Sequence, residues 1–469
     1  MHTQRNRLMG TLLKKNARYF IIAFALTAFT SLMQFITPAL LAELMDHYLG
    51  SEPSRLPAFV NDGISRIFGA DFLSRNLWVF GLTLILVNLI SGVFSFFRGK
   101  LTSQGSESAA RYLRDELYDH MQKLPYDYHV KVETGDLLQR CTSDINTIRG
   151  FLNQQIVAML NAVFMIIFAI ILMLPISVKV TVYSLVFTPL IFLFSMLFFR
   201  LVIRAFRRMD EAEGAMSTVL QENLTGVRVV RAFGQAFNEI KKFDKASFEH
   251  RTRGFKVANL EALYWALSGS MGMMQILLSL IVCILEAGKG NISVGDLIMI
   301  TGYTGMLTWP IRQLGRILTE SGKSMVALDR IGEVLRAKAE PEETDALKPS
   351  LSADIVFDHV SLYYEKDQEV LRDISFTAKA GQTIAILGPT GSGKSSLVHL
   401  LQRLYAPKSG SITIGGVPIE QIDRSYLRSR VGLVLQSSFL YSKTIRENIA
   451  IAVRDASQDD IDRAAKAAS

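Results

Sequence analysis

Four stretches of this chain are long and apolar enough to cross a lipid bilayer, and that constrains the fold before any other feature does. Residues 19–42, 77–97, 157–174 and 180–199 are dominated by Leu, Ile, Phe, Val, Ala and Met. Each approaches the roughly 20 residues that span hydrocarbon at a rise of about 1.5 Å per residue. Two less uniform stretches follow: 260–285, with Glu261 near one end, and 297–318, which contains Gly302, Gly305, Pro310, Arg312 and Arg316. The pattern predicts six spanning helices. The first has too long an apolar stretch for a cleaved leader and no small-residue cleavage site after it, so it is expected to stay in the membrane. The hydrophobic share of 49% is itself ordinary; it is the gathering of those residues into runs that sets this chain apart from a soluble one.

Charge location gives the orientation. Arg5, Arg7, Lys14, Lys15 and Arg18 precede the first span, Arg98, Lys100, Arg111 and Arg114 follow the second, and Arg200, Arg204, Arg207 and Arg208 follow the fourth. Residues 43–76 instead carry five acids against three arginines. Cations collect on the cytoplasmic side, so the N-terminus and everything beyond the sixth span are expected there, in a multi-pass protein of a bacterial cytoplasmic membrane. The net charge of +8 is then accounted for without a nucleic-acid partner. Cys141 and Cys283 are too far apart in sequence to suggest a disulfide framework or a CxxC metal pair.

The loops are lopsided. Outside connections such as 175–179 and 287–293 are short, whereas 98–151 and 200–257 are long, charged and compatible with helix. These two read as spanning helices prolonged into the cytoplasm, broken near their middles by Pro125 and by Gly226 and Gly234 into short transverse tips. Such tips, near residues 124–130 and 227–234, could be solvated hairpins or a docking surface for a soluble domain.

A polar linker over 336–349 separates a membrane domain, 1–335, from a strand-forming region, 350–469. Residues 355–360 and 371–376 read as strands and 382–387 as a buried strand. Then comes Gly388-Pro-Thr-Gly-Ser-Gly-Lys-Ser395, a GxxxxGK[ST] loop followed by a helix over 396–404. Its glycines let successive N–H groups turn in around a polyphosphate, and the helix aims its positive end at the same anion. Lys394 places a charge on the β and γ phosphates, and Ser395 offers a hydroxyl to Mg²⁺. A flexible glycine linker is the reading set aside. The nucleotide contacts expected from the loop are Gly388, Pro389, Thr390, Gly391, Ser392, Gly393, Lys394, Ser395 and Ser396.

With six spans attached to this loop, the chain resembles a half-transporter of the ATP-binding cassette (ABC) exporter family, of the multidrug-resistance type. The resemblance extends over Val360-Ser-Leu-Tyr-Tyr364, Gly410-Ser-Ile-Thr-Ile-Gly-Gly416, Leu427-Arg-Ser-Arg-Val-Gly-Leu-Val-Leu-Gln436, the run 440–449 and Thr134-Gly-Asp-Leu-Leu-Gln-Arg-Cys-Thr-Ser-Asp144. It implies a helical membrane domain joined to the first part of an α/β P-loop NTPase domain. Tyr364, with Tyr363 as its alternative, would stack on adenine, and Gln436 would bind Mg²⁺ and sense the γ phosphate. Catalytic roles would fall to Lys394 and Gln436, metal contacts to Ser395 and Gln436, and the cofactors would be ATP and Mg²⁺. The family's LSGGQ signature, Asp-Glu strand end and switch histidine do not occur up to Ser469, and the expectation is that they follow it.

The resemblance further implies alternating access in a homo- or heterodimer that exports a small hydrophobic substrate, a lipid or a peptide. The alternative is an ATP-binding regulatory half whose own site hydrolyses little or nothing. Glu261, Arg312 and Arg316 are costly inside a bilayer and are candidates for a cargo path, unless they snorkel. Met271, Met273, Met274, Met299, Met306, Tyr303 and Trp309 could line an adaptable cavity or simply pack.

Overall fold

A computed structural model describes residues 2–50, 53–54, 76–341, 345–364, 369–435, 439–453 and 455–468. The chain divides into two compact units, one formed by residues up to 119 with 138–336, the other by 120–137 with 337–469.

The first unit is helical. Helix α1 (His2–Lys15) is set off from α2 (Ala17–Glu43) at Asn16, whose buried amide donates to the Leu12 carbonyl at 3.0 Å. Then come α3 (Trp78–Gln122), a short α4 (Tyr126–Lys131) that belongs to the second unit, and α5 (Thr134–Met173), which holds two π turns. The remaining helices are α6 (Val178–Ala232), α7 (Ala236–Ala287) and α8 (Val294–Arg336). Among the described residues α2 with its C-terminal π turn, α3, α5, α6 and α7 are long and apolar enough to cross a membrane. Helix α8 covers the sixth stretch as one element, but Pro310, Arg312, Arg316 and Glu320 dilute its apolar run.

Packing in this unit follows bilayer rules. None of the most apolar window of α3 is buried within the chain, and Leu82, Ile85, Leu86 and Leu89 all face outward. Inside, Phe35, Met165, Ala169, Ile191, Ile300, Tyr303 and Leu307 make an apolar core. Short polar bonds pin helix to helix, as expected where small and hydroxylated residues let backbones approach. Ser184 shares a 2.7 Å hydrogen bond with Ser279, and Ser31 donates to Asn161 at 2.9 Å. Gly315 sits so close to α6 that a Cβ would lie 2.9 Å from Ser195.

Helices α6 and α7, of 55 and 52 residues, are long enough to continue well past a bilayer. One detail of the expected tips is corrected. Gly226 lies inside α6 and breaks nothing, because a helical glycine costs only about 1 kcal/mol relative to alanine. The turn falls at Gly234, whose φ of +63° is left-handed, and α7 begins directly after it. The first tip does form a short helix of its own: Pro125, at φ −66° and ψ 154°, starts α4.

The second unit is built on a four-stranded antiparallel sheet in the order β2–β1–β3–β4. Its strands are β1 (Ile355–Tyr363), β2 (Glu369–Ala378), β3 (Ser409–Ile414) and β4 (Val417–Pro418). Helix α9 (Lys394–Leu401) packs Leu397 and Leu400 against Phe357, Val360, Leu371 and Ile412. Helices α10 (Arg424–Arg430), α11 (Ile445–Ile449) and α12 (Gln458–Ala467) complete it. The buried strand expected at 382–387 is overturned. That segment has no regular structure, and Leu387 is 93% exposed. An apolar run of this kind is the mark of a strand flanked by parallel neighbours, and among the described residues no strand lies beside it to supply them.

Candidate nucleotide-binding site

The phosphate loop is shaped by its glycines. Gly391 and Gly393 take φ values of +86° and +85°, and a Cβ at Gly393 would stand 2.8 Å from both the Leu371 side chain and the Val370 carbonyl. A Cβ at Gly388 would meet Ser392 Oγ at 2.5 Å. Gly393 is also the N-cap of α9, and the N–H groups in the first turn of a helix have no intrahelical acceptor. The loop from Gly388 to Ser392 is exposed. Lys394 folds over it, Nζ donating to the Gly388 carbonyl at 2.9 Å and the Pro389 carbonyl at 2.8 Å.

This arrangement fits a polyphosphate. The ammonium, held among the described residues by two carbonyls of the exposed loop, can exchange them for phosphate oxygens, and the helix end offers N–H donors to the same anion. Ser395 is exposed at the start of α9 and Ser396 is buried. Among the described residues no group of three or more His, Cys, Asp or Glu side chains could hold a metal unaided. A Mg²⁺ here would rest on phosphate oxygens and the Ser395 hydroxyl.

Tyr364 joins this site from the end of β1. Its hydroxyl donates to Ser396 Oγ at 2.8 Å, and its ring meets that of Tyr405 edge-on at 4.8 Å. Tyr363 turns away and donates to Glu369 at 2.9 Å. Gln436 lies outside the described residues. The structure thus gathers Tyr364 and the loop 388–396 around the start of α9.

Sequence reasoning missed what surrounds them. In the second unit the α4 tip packs on the distal end of α9: the Tyr126 ring lies 5.6 Å from that of His399 and 5.7 Å from that of Tyr405. Burial lowers the His399 pKa, and its Nδ1 is enclosed with no hydrogen-bond partner among the described residues. Burial also pushes the Tyr405 hydroxyl up to about 12. Glu340 ties the linker to both sides. Its N–H donates to the Lys123 carbonyl at 2.8 Å, and its carboxylate takes a two-pronged hydrogen bond from Arg428 at 2.9 and 3.0 Å, with Arg424 3.5 Å away. Burial raises the Glu340 pKa, but the charges of Arg428, Arg424 and Arg403 together outweigh it and hold the carboxyl below its ordinary value. The sequence shows these groups only as a charged linker and an aromatic scatter; no local spacing brings them together.

In the first unit, Arg312 of α8 donates from Nε to Ser268 at 3.0 Å and from a terminal nitrogen to the Trp265 carbonyl at 3.0 Å. It also lies over the Trp265 ring, which stacks on Trp309. Arg316 pairs with Glu320 at 3.2 Å on the surface of α8, and Glu261 is exposed. Tyr303 is buried in the core, with Met271, Met299 and Met306 packed against that core, while Met273, Met274 and Trp309 face outward. The methionines therefore divide between packing and surface and do not enclose one chamber.

Family models match most of the chain. Residues 20–311 match the ABC transporter transmembrane region and residues 371–469 the ABC transporter family. The uncharacterized ABC transporter ATP-binding protein YfiB of Bacillus subtilis is 31% identical over 97% of this chain and 77% of its own length. The probable multidrug resistance ABC transporter ATP-binding/permease protein YheI, also of Bacillus subtilis, is 28% identical over 95% of the chain and 73% of its own. A fatty acid ABC transporter ATP-binding/permease protein of Mycobacterium bovis is 31% identical over 76% of the chain and 56% of its own.

Proposed function

Because the chain belongs to the ABC transporter family, we propose that it is one half of a dimeric, ATP-driven exporter of the cytoplasmic membrane, its N-terminus and nucleotide unit on the cytoplasmic side. One observation carries this reading. The helix that starts at the phosphate loop, α9, receives at its other end the α4 tip, which is the covalent continuation of the spanning helix α3. A ligand that orders the loop acts on the same eight-residue helix that holds the tip.

ATP with Mg²⁺, when bound, supplies the free energy for the cycle. The chain's own residues then have separable tasks. Gly391 and Gly393 hold the loop open to an anion, Lys394 moves from the Gly388 and Pro389 carbonyls to the phosphates, Ser395 faces the metal, and Tyr364 limits the adenine side. Gln436 is assigned the link between the metal and the membrane helices. The two relatives named for multidrug resistance and for fatty acids favour a small hydrophobic or amphiphilic cargo, and the outward apolar faces of the helices give such a cargo access from lipid. A second half, identical or related, would cover the exposed Val229, Phe233 and Phe237 at the α6–α7 tip.

The test is Lys394→Ala in the full-length dimer, read by photolinking of an azido-ATP analogue and by transport into inverted vesicles. Both should fall by at least about tenfold, the scale of one lost charge-assisted contact, while membrane insertion is unchanged. Transport that survives the substitution would remove this loop as the energy source.

A further inference from the structure

We propose that α6 and α7 together form a binding site for the phosphate headgroup of an anionic phospholipid of the cytoplasmic leaflet. A cavity of 330 Å³ between these helices is lined by Leu201, Arg204, Ala205 and Arg208 from one and by Arg253, Lys256 and Leu260 from the other. The spacing puts each set on one face of its helix. Four cations therefore converge on one concave space, and among the described residues only Arg253 has an acidic partner, Glu249, at 2.6 Å. Among the described residues, Arg204, Arg208 and Lys256 make no hydrogen bond or ion pair. Three of the four charges thus stand together without a counter-charge of their own, and a bound anion relieves their repulsion.

The depth of the cavity selects the anion. Counting from the outer end of α6 at Val178, Leu201 lies about 34 Å along the helix and Arg204 and Arg208 about 39 and 45 Å, at about 1.5 Å per residue. From the outer end of α7 at Ala287, Leu260 lies about 40 Å along and Lys256 and Arg253 about 46 and 51 Å. With those ends at the outer face of a bilayer about 40–45 Å thick, Leu201 falls at the inner edge of its hydrocarbon core of about 30 Å, Arg204, Arg208 and Leu260 in the inner headgroup layer, and Lys256 and Arg253 at the aqueous edge of that layer. A preference for cations on the cytoplasmic side requires only that they lie near helix ends. It does not require them to close on one cavity from two helices with an apolar lip on the membrane side, which is the shape of a phosphate carried on acyl chains.

The experiment uses the full chain, delipidated in a neutral detergent, and needs no nucleotide, so its outcome is separate from the transport reading. Phosphatidylglycerol, phosphatidylcholine and inorganic phosphate are titrated in turn, with retention by native mass spectrometry and thermal protection as readouts. Phosphatidylglycerol is expected to bind at least about tenfold more tightly than phosphatidylcholine, a preference weakened at about 0.5 M salt. The R204Q/R208Q/K256Q variant should lose the preference while keeping the elution profile of the parent. Should that variant fail to insert, Lys256→Gln alone should reduce the preference and Lys256→Arg restore it. An unchanged preference in either Gln variant overturns the proposal, as does protection by free phosphate equal to that of the lipid.

Discussion

At the scale of single residues, the nucleotide site rests on backbone that only glycine adopts without strain. Gly393→Ala would force a Cβ into the Leu371 side chain and the Val370 carbonyl at a φ of +85°, and strain of that kind costs on the order of 1–3 kcal/mol. Denaturant unfolding of the variant should show a midpoint shifted down accordingly, with Gly381→Ala, which is left-handed but has nothing within 4 Å, less affected. Glu340 sets a pH limit on the same unit. Its folded pKa is held below the ordinary glutamate value, so its contribution is present above the unfolded pKa, about 4.3. That contribution is lost as pH falls through the folded value. Between about pH 5 and 3, stability measured by thermal unfolding should fall more steeply in the parent than in Glu340→Gln.

At the scale of elements, α4 is the piece to disturb. Tyr126→Ala removes the ring that touches both His399 and Tyr405, and should raise amide exchange over residues 123–131 by roughly tenfold or more, the scale of one buried aromatic contact. Photolinking of nucleotide at the loop should remain at parental level. His399 adds a pH dependence of definite sign. Burial holds its folded pKa below the ordinary value, so the unfolded form protonates first as pH drops below about 6.5. The α4 contact should therefore loosen on mild acidification down to the folded pKa, and His399→Phe should abolish that dependence in the same exchange measurement.

Elements also separate what could be read along the chain from what could not. Five of the six expected spans and the phosphate loop were legible because their signals are local, twenty apolar residues or glycines counted from a lysine, whereas the stretch 297–318 forms a helix whose apolar run falls short of theirs. The strand at 382–387 was misplaced because an apolar run says that a segment wants neighbours, and whether it has them is decided elsewhere in the chain. Gly226 failed as a break for a related reason, since the flanking helix outweighs one poor helix former. The Glu340–Arg428 pair spans 88 residues, and the Tyr126–His399 contact joins residues whose own neighbourhoods carry no hint of each other.

At the scale of the whole molecule, the membrane unit wears its apolar residues outward and keeps serines, a glutamine and tyrosines between its helices, whereas the nucleotide unit has an ordinary apolar core. One of the three points at which the chain passes between the two units falls within a single unbroken helix, α3, between Asp119 and His120. Such a joint conveys angle as well as distance. One residue inserted just before it would swing the tip by about 100°, whereas seven would bring it back to within about 20° of its original bearing while pushing it about 10 Å farther. Phase along this shaft is thus a quantity that its length sets: a seven-residue insertion should leave the tip's bearing nearly intact, where a one-residue insertion should not.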